Sequence, residues 1–196
     1  MIPAAFDYVR AGTVDEAVLV ESGDDAKVLA GGQSLLPLLR LRLAYPSVVI
    51  DIGRVPELRG VREDGAAVVI GAMTTHHEVL HDPLIRQHCG LVAEATASVA
   101  DPAVRHRGTF GGALAHADPA GDLPAVALAL DAEMVVQGPG GRRTVPAAEF
   151  FVDYLTSALA PDEVLVEVRL PKLAGPPGAT ATRSSSGLPR PGPSSA

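Results

Sequence analysis

The sequence predicts an α+β fold of two lobes, with a small parallel βαβ lobe over residues 1–55 and a mainly antiparallel lobe over residues 56–172. The first part of the chain reads as strand–helix–strand–helix–strand, an order typical of a parallel sheet. The second part contains apolar runs that are paired across glycine turns, which is typical of antiparallel hairpins. Glycine pairs at residues 31–32 and 111–112 mark points where the backbone can turn sharply or approach another molecule.

Composition narrows the classes of protein that the chain can belong to. The 196 residues are 47% hydrophobic, so the chain can bury a sizeable core. The net charge is −7 and the cations form no basic run, which argues against a nucleic-acid partner. The N-terminus does not read as a secretory signal, and no apolar run approaches the roughly 20 residues that span a bilayer. We therefore expect a cytoplasmic protein without a membrane span.

Cys89 is the only cysteine. An iron–sulfur cluster takes about four thiolates, so any such cluster would have to be supplied by a partner. A lone cysteine most often behaves as a small buried hydrophobe.

The elements of the first lobe follow from short apolar runs and their boundaries. An edge strand is predicted at residues 6–10, and Thr13 then caps a helix that residues 22–25 close. Further strands are predicted at residues 27–30 and 48–52, with a helix at residues 35–43 between them.

The second lobe is predicted to begin with a hairpin and to end with a closing strand. Its predicted elements are a hairpin at 60–72, helices at 76–79, 82–89, 91–99 and 122–130, a hairpin at 133–145 and a strand at 163–170. Residues 173–196 are rich in Gly, Pro and Ser, with Leu188 as the only bulky apolar side chain after residue 173. Such a segment buries too little surface to offset its ordering entropy, so we predict a disordered tail.

The stretch Ala30–Leu35 has two interpretations. A glycine turn that feeds a helix N-terminus can cradle a phosphate, but the glycines can also simply make a tight strand-to-helix turn. The Rossmann and P-loop patterns do not match, and neither does the glycine pattern that surrounds a nucleophilic serine, which weakens that role for Ser34.

The stretch Arg107–Ala113 is the second of its kind, and we expect both to share one anionic cofactor. Downstream, Asp122 stands where a helix starts. It can serve as an N-cap, hold a ribose hydroxyl as acidic residues do in dinucleotide sites, or do both. Arg105, His106 and Arg107 flank the stretch and can meet phosphates, although a solvated charge run is the commoner meaning of such a group.

Histidines between residues 76 and 88 lie close to Cys89 in sequence. Their spacing matches no standard zinc site, so we predict no metal ligand in this chain.

Several motifs, in this order, resemble the FAD-binding medium subunits of molybdenum hydroxylases, most closely the carbon monoxide dehydrogenase type and less closely xanthine dehydrogenase flavin domains. The resemblance extends from Met1 to about Lys172. The motifs that carry it are Ala30–Pro37, Val49–Ile52, Ile70–Thr75, Arg107–Gly112 and Ala117–Pro124.

The resemblance implies a two-lobed FAD-binding fold of the vanillyl-alcohol-oxidase or PCMH type, with FAD extended between the lobes. The first glycine stretch would wrap the pyrophosphate and the second would complete that cradle. Asp122 would meet the adenosine end, and Leu165 would pack against the flavin with Thr74 and Thr75 nearby. The implied FAD-binding residues are Ala30, Gly31, Gly32, Gln33, Ser34, Leu35, Thr74, Thr75, Thr109, Phe110, Gly111, Gly112, Ala113, Asp122 and Leu165.

The implied activity is electron relay in an oxidoreductase complex that is active only when assembled. A large molybdenum subunit would oxidise the substrate and a small iron–sulfur subunit would carry the electrons, which FAD would pass to an external acceptor. No side chain of this chain is expected to be catalytic. Two alternatives stay open: a folded product that no longer binds FAD, and a flavin oxidase that works alone on an organic substrate.

Three departures from the family pattern stand out. Gln33 replaces a common His, and Phe110 replaces the usual Ile or Val. After residue 172 the family continues with an aromatic–Lys–Phe segment and a C-terminal domain, which this sequence lacks. Our hypothesis is a frameshift or truncation near residues 174–181.

Overall fold

The computed structural model describes residues 2–21 and 25–172. The strands are β1 Asp7–Arg10, β2 Ala26–Leu29, β3 Val48–Asp51, β4 Val61–Asp64, β5 Ala67–Gly71, β6 Glu133–Gly138, β7 Gly141–Pro146, β8 Phe151–Asp153, β9 Thr156–Ser157 and β10 Val164–Pro171. The helices are α1 Val14–Glu21, α2 Leu35–Leu41, α3 His76–His81, α4 Pro83–His88, α5 Gly90–Ser98, α6 Pro102–Arg105, α7 Phe110–His116, α8 Asp122–Ala129 and α9 Ala147–Phe150, with a 3₁₀ turn at Pro56–Leu58.

The first sheet is parallel and has the order β1-β3-β2, which confirms the predicted βαβ pattern with β1 at an edge. Its central strand is buried at Val49 and Ile50. The Thr13 hydroxyl accepts the Glu16 N–H at 3.1 Å, so the predicted cap of α1 is present. The residues predicted to close α1 lie largely outside the described residues.

The second sheet is antiparallel and has the order β4-β5-β10-β6-β7. Both predicted hairpins are confirmed, since β4 pairs with β5 and β6 pairs with β7. Gly65 turns the first hairpin with a φ of 57°, which glycine adopts without a Cβ penalty. The predicted closing strand becomes the central strand β10, whose residues from Val164 to Val168 are all buried.

The main difference from the predicted elements lies around the second glycine stretch, where two short helices replace the expected loop. Side-chain caps explain both starts. The Asp101 carboxylate accepts the Val104 N–H at 3.0 Å ahead of α6, and the Thr109 hydroxyl accepts the Gly112 N–H at 3.2 Å ahead of α7. These caps offset the low helix propensity of glycine. The elements α9, β8 and β9 also had no sequence prediction.

The two sheets meet through a shared apolar cluster. Val14 and Ile50 of the first sheet layer pack in one buried cluster with Met73, Val164 and Val166 of the second. The strands of the first sheet precede residue 55 and those of the second sheet follow it. The division of the chain into domains stays a prediction. The predicted disordered tail 173–196 lies outside the described residues. Among the helices of the described ranges, none is long and apolar enough to cross a bilayer.

Candidate cofactor cleft

A cleft of about 450 Å³ opens between the two sheets. The first lobe supplies most of β2 with the residues on either side of it, and the residue after β3. The second lobe supplies the residues after β5, the first turns of α7 and the segment before β10. The lining residues are Asp25, Ala26, Lys27, Val28, Ala30, Ile52, Ala72, Met73, Gly111, Gly112, Ala115, Leu159, Ala160, Pro161, Glu163, Val164 and Leu165.

The first glycine stretch leaves β2 at the edge of this cleft. Gly32 has a φ of 75°, and the chain then turns into α2 with Gln33 and Ser34 exposed. Within the described residues, no protein acceptor takes the backbone N–H groups of residues 31–35. Successive backbone N–H groups of this kind form a concave donor surface that suits an anion such as a phosphate.

Close packing joins the first glycine stretch to the second lobe. A Cβ placed on Gly31 would overlap the carbonyl oxygen of Arg107 and lie 2.7 Å from the Cα of Gly108. Gly112 in turn leaves room for the Ala30 methyl group, 3.3 Å from where its own Cβ would stand. The two predicted glycine stretches therefore lie side by side, although 71 residues (36–106) separate them in the sequence.

In the second glycine stretch, the backbone N–H groups bond acceptors inside the protein. The N–H groups of Phe110 and Gly111 bond the carbonyls of Thr74 and Ala72, at 2.9 and 3.0 Å. Those of Gly112 and Ala113 bond the Thr109 hydroxyl and carbonyl. This stretch can shape a cofactor site, but these four donors already have partners.

The predicted cofactor residues fall into two groups. Those that line the cleft are Ala30, Gly111, Gly112 and Leu165. Among the others, Thr74 is buried with its hydroxyl bonded to the backbone of Gly60, and Thr75 caps α3 in a reciprocal pair with Glu78. Phe110 is buried in the core of the second lobe. The roles of all these residues toward FAD stay predictions.

Asp122 requires a correction to its expected structural role. The N-cap of α8 is Gly121, and Asp122 is the first helical residue with no capping bond of its own. Its carboxylate instead accepts the Ser98 hydroxyl at 3.0 Å. The exposed carboxylate is also outside the cleft lining, and its contact with the adenosine end stays a prediction.

Several cleft residues were not identified from the sequence, among them Lys27 and Glu163. Arg143 donates two bonds of 2.6 Å to Glu163, and this hydrogen bonding lowers the pKa of Glu163. Its negative charge is thereby compensated. No sequence motif predicts that Lys27 and Glu163 line the cleft, because the cleft brings together chain segments that are far apart in sequence. Lys27 alone had a signal in the local sequence, because it stands in the strand that leads into the first pair of glycines.

His76 lies buried behind the second glycine stretch. Its backbone N–H bonds the Gly108 carbonyl at 2.9 Å, and its ring packs on Gly108 with Nδ1 unpartnered among the described groups. Burial, with a smaller contribution from Arg105, lowers the pKa of His76 to about 4. The ring is thus neutral near pH 7.

Two neighbouring predictions have clear outcomes. Cys89 is buried as expected, and burial raises the pKa of its thiol to about 11. Arg105 is not simply solvated, and its role toward phosphates stays a prediction. Its guanidinium donates to the carbonyls of Val99 and Ala100 at 2.8 and 2.9 Å, which ties the end of α5 to α6.

The site fits FAD on two counts. The backbone N–H groups that follow the cleft residue Ala30 have no acceptor among the described residues, and the glycine contacts leave no space for side chains there. The fold and cleft define a two-lobed α+β FAD-binding domain. The chain belongs to the family described as the FAD binding domain in molybdopterin dehydrogenase, whose model matches residues 4–173.

Known proteins similar to this chain are oxidoreductase subunits. The carbon monoxide dehydrogenase medium chain of Hydrogenophaga pseudoflava is 50% identical, with 89% of this chain and 61% of the relative covered. The nicotine 6-hydroxylase medium subunit of Paenarthrobacter nicotinovorans is 43% identical over 85% of this chain and 59% of the relative.

Solved structures agree with this assignment. A structure of the Hydrogenophaga pseudoflava carbon monoxide dehydrogenase matches with a TM-score of 0.87, at 50% identity, covering 89% of this chain and 61% of that chain. Quinoline 2-oxidoreductase from Pseudomonas putida 86 matches with a TM-score of 0.86, at 39% identity, with the same coverage. The chain therefore spans about three fifths of the length of the relatives it matches.

Proposed function

We propose that this chain carries FAD as the electron-transfer part of a molybdenum hydroxylase complex of the carbon monoxide dehydrogenase type. It would receive electrons from iron–sulfur clusters of a small partner subunit, which a large molybdenum subunit reduces by oxidising the substrate. The observation that carries the proposal is the interlobe cleft, lined by Ala30, which is followed by backbone N–H groups that have no acceptor in the described part of the chain. The predicted cytoplasmic location belongs to the same proposal.

Backbone geometry supplies most of the binding in this proposal. The N–H groups of residues 31–35 bind the pyrophosphate, and Gly111 and Gly112 keep that wall free of side chains. A net charge of −7 disfavours an anion at long range, so short-range backbone donors are needed to hold it. Lys27 is the cationic side chain among the lining residues.

The apolar part of the cleft shapes the space for the flavin ring system. Leu165, Ile52 and Met73 are buried and line this part of the cleft. They exclude water from the ring that they would contact. When bound, FAD supplies one- and two-electron chemistry, and the protein supplies binding, orientation and electrostatics.

Titration of the purified chain with FAD tests the proposal, with flavin absorbance and fluorescence as readouts. Saturable binding of about one FAD per chain is the expected result. A chain that folds, as judged by circular dichroism, and leaves FAD free would contradict the proposal and support the alternative of a folded product without cofactor.

Reduction tests the electron-transfer role. Flavin in the chain alone should stay oxidised when organic substrates of molybdenum hydroxylases are added, and should become reduced once the iron–sulfur and molybdenum subunits are present. Reduction of the flavin by a substrate in the isolated chain would instead identify an oxidase that works alone.

A further inference from the structure

A buried amide lies where the two lobes meet. The side chain of Gln137, in β6, is 9% exposed. Its Nε2 donates to the carboxylate of Asp15 in α1, and its Oε1 accepts the Nε of Arg142 at 2.8 Å. A buried amide is costly unless both of its ends are hydrogen-bonded, so Gln137 depends on both partners. One bond stays within the second lobe and the other reaches the first.

Arg142 extends this contact between the lobes. Its Nη2 donates to Oε2 of Glu57 at 3.0 Å, and Oε1 of Glu57 accepts the backbone N–H of Val14 at 3.3 Å. Val14 and Asp15 are the first residues of α1, and Glu57 lies in the 3₁₀ turn. The second lobe thus holds the start of α1 directly through Gln137 and indirectly through Arg142 and Glu57. We call Asp15, Glu57, Gln137 and Arg142 the interlobe network.

The interlobe network adds direction to a contact that is otherwise apolar. Val14 also packs with Val164 and Val166 in the buried cluster that the two lobes share. Apolar attraction is non-directional, so it holds the lobes together without selecting one angle between them. Hydrogen bonds depend on both distance and angle. We therefore expect the cluster to supply cohesion and the interlobe network to set the relative orientation of the lobes.

Both ends of the interlobe network connect to walls of the cleft. Gln137 stands opposite Val164 in the pairing of β6 with β10, so the two side chains share a face of the sheet, and Val164 lines the cleft. On the other side, α1 packs against β2, and its residues Ala26, Lys27 and Val28 line the cleft. Breaking the network would therefore shift one wall of the cleft relative to the other.

We infer that Gln137 is a positioning residue for the cofactor: by bonding Asp15 and Arg142, it sets the spacing of the cleft walls between which FAD binds. Gln137 is itself outside the cleft lining and acts through α1 and β10. The inference rests on the proposed function for the identity of the ligand, whereas the positioning role follows from the contacts between the lobes.

Gln137→Glu in the full chain tests the inference. The new carboxylate would face that of Asp15 and could still accept from Arg142, so the variant breaks the bond to the first lobe and replaces it with repulsion. FAD affinity should fall about tenfold in a fluorescence titration. At saturation, the visible circular dichroism of the bound flavin should differ from that of the wild type, because the surroundings of the flavin have shifted. Urea unfolding measures stability separately.

A second substitution should reverse the effect of the first. In Asp15→Asn/Gln137→Glu the donor and the acceptor change places, because the new amide can donate to the new carboxylate. Affinity should return to within about twofold of the wild type, and the flavin spectrum should return with it. Asp15→Asn alone should lower affinity less than Gln137→Glu does, since its amide oxygen can still accept from Gln137. A double variant as weak as Gln137→Glu would overturn the inference.

Gln87→Glu is the matched control, because Gln87 is an exposed glutamine on α4 outside the cleft lining. It makes the same change of charge and should bind FAD as the wild type does. If Gln137→Glu does not fold, Gln137→Met takes its place. This variant keeps the length of the side chain, removes both hydrogen bonds without adding charge, and should weaken FAD binding about fivefold.

The outcomes distinguish a failure of this inference from a failure of the proposed function. Wild-type FAD affinity in a folded Gln137→Glu or Gln137→Met variant, whatever its stability, would give Gln137 a structural role only and overturn the inference, while the proposed function stands. An equal loss of affinity in Gln87→Glu would trace the effect to net charge and also contradict the inference. A wild-type chain that folds but leaves FAD free would overturn both.

Discussion

Gly31 and Gly32 follow a strand, whereas Gly111 and Gly112 lie in the first turn of a helix. At the first pair the backbone N–H groups of residues 31–35 have no acceptor within the described residues. At the second pair the N–H groups bond Ala72 and Thr109, and the missing side chains allow close packing. The first pair thus offers donors to a ligand and, at Gly31, packs against the second lobe, whereas Gly111 of the second pair lets α7 pack closely on Ala72 within the second lobe.

The difference shows that a glycine pair has two separable uses. At Gly32, with a φ of 75°, the advantage lies in the accessible conformation. At Gly111 it lies in the absent Cβ, which would stand 2.6 Å from the Cα of Ala72. Substitutions should therefore affect cofactor binding at the first stretch and stability at the second.

Gly31→Ala is expected to have the largest effect on FAD affinity. The new Cβ would overlap the Arg107 carbonyl, so the donor row and the second lobe must move apart. We expect affinity to fall about a hundredfold, or about 2.7 kcal/mol, in a fluorescence titration. Gly140→Ala is the control, because a Cβ there meets nothing within 4 Å. Equal affinities of the two variants would refute a cradle at this turn.

Gly111→Ala should mainly lower stability. Its Cβ would meet the Ala72 backbone and methyl group, which are too rigid to yield, and overpacking of this kind costs about 1–3 kcal/mol in the free energy of unfolding. Urea unfolding followed by circular dichroism measures the loss. A variant as stable as the wild type would show that the Ala72 contact relaxes without cost and would refute the packing role of Gly111.

Acid should also weaken the second stretch, through His76. Its folded pKa of about 4 lies below the usual value of about 6.5, so the unfolded chain binds the extra proton first as pH falls. The contribution of neutral His76 to the free energy of unfolding is complete above pH 6.5 and is lost as the pH falls toward 4. The loss reaches about 2 kcal/mol of unfolding free energy at pH 5.

His76→Leu should remove this part of the pH dependence, as measured by urea unfolding at pH 7 and pH 5. The exposed His81 supplies the control His81→Gln, which should keep the wild-type slope. An unchanged slope in His76→Leu would show that His76 is not the group responsible.

Lys27→Gln should have the smallest effect. An exposed ammonium near a phosphate contributes about 1 kcal/mol at low salt, so FAD affinity should fall about fivefold and the difference should shrink as salt is added. Riboflavin, which lacks phosphate, should bind both forms equally. Lys172→Gln is the matched control, since Lys172 bonds Gly65 and lies outside the cleft lining. A loss that is equal for riboflavin would argue against a charge effect.

The sequence by itself determined the elements that local patterns specify. Both hairpins, the parallel order of the first lobe and the cap at Thr13 follow from turn residues and apolar period, which act over a few residues. The ordered set of motifs also identified the family and its cofactor.

Tertiary structure alone decided how distant segments share the site. Gly31 packs against Arg107, Glu163 is paired with Arg143, and Lys27 lines the cleft wall. No local sequence pattern links the residues that meet in this way. The same reason explains why the second glycine stretch was predicted as a donor loop. Whether an N–H group is free depends on acceptors such as the Ala72 and Thr74 carbonyls, and only the packed fold brings those acceptors to it.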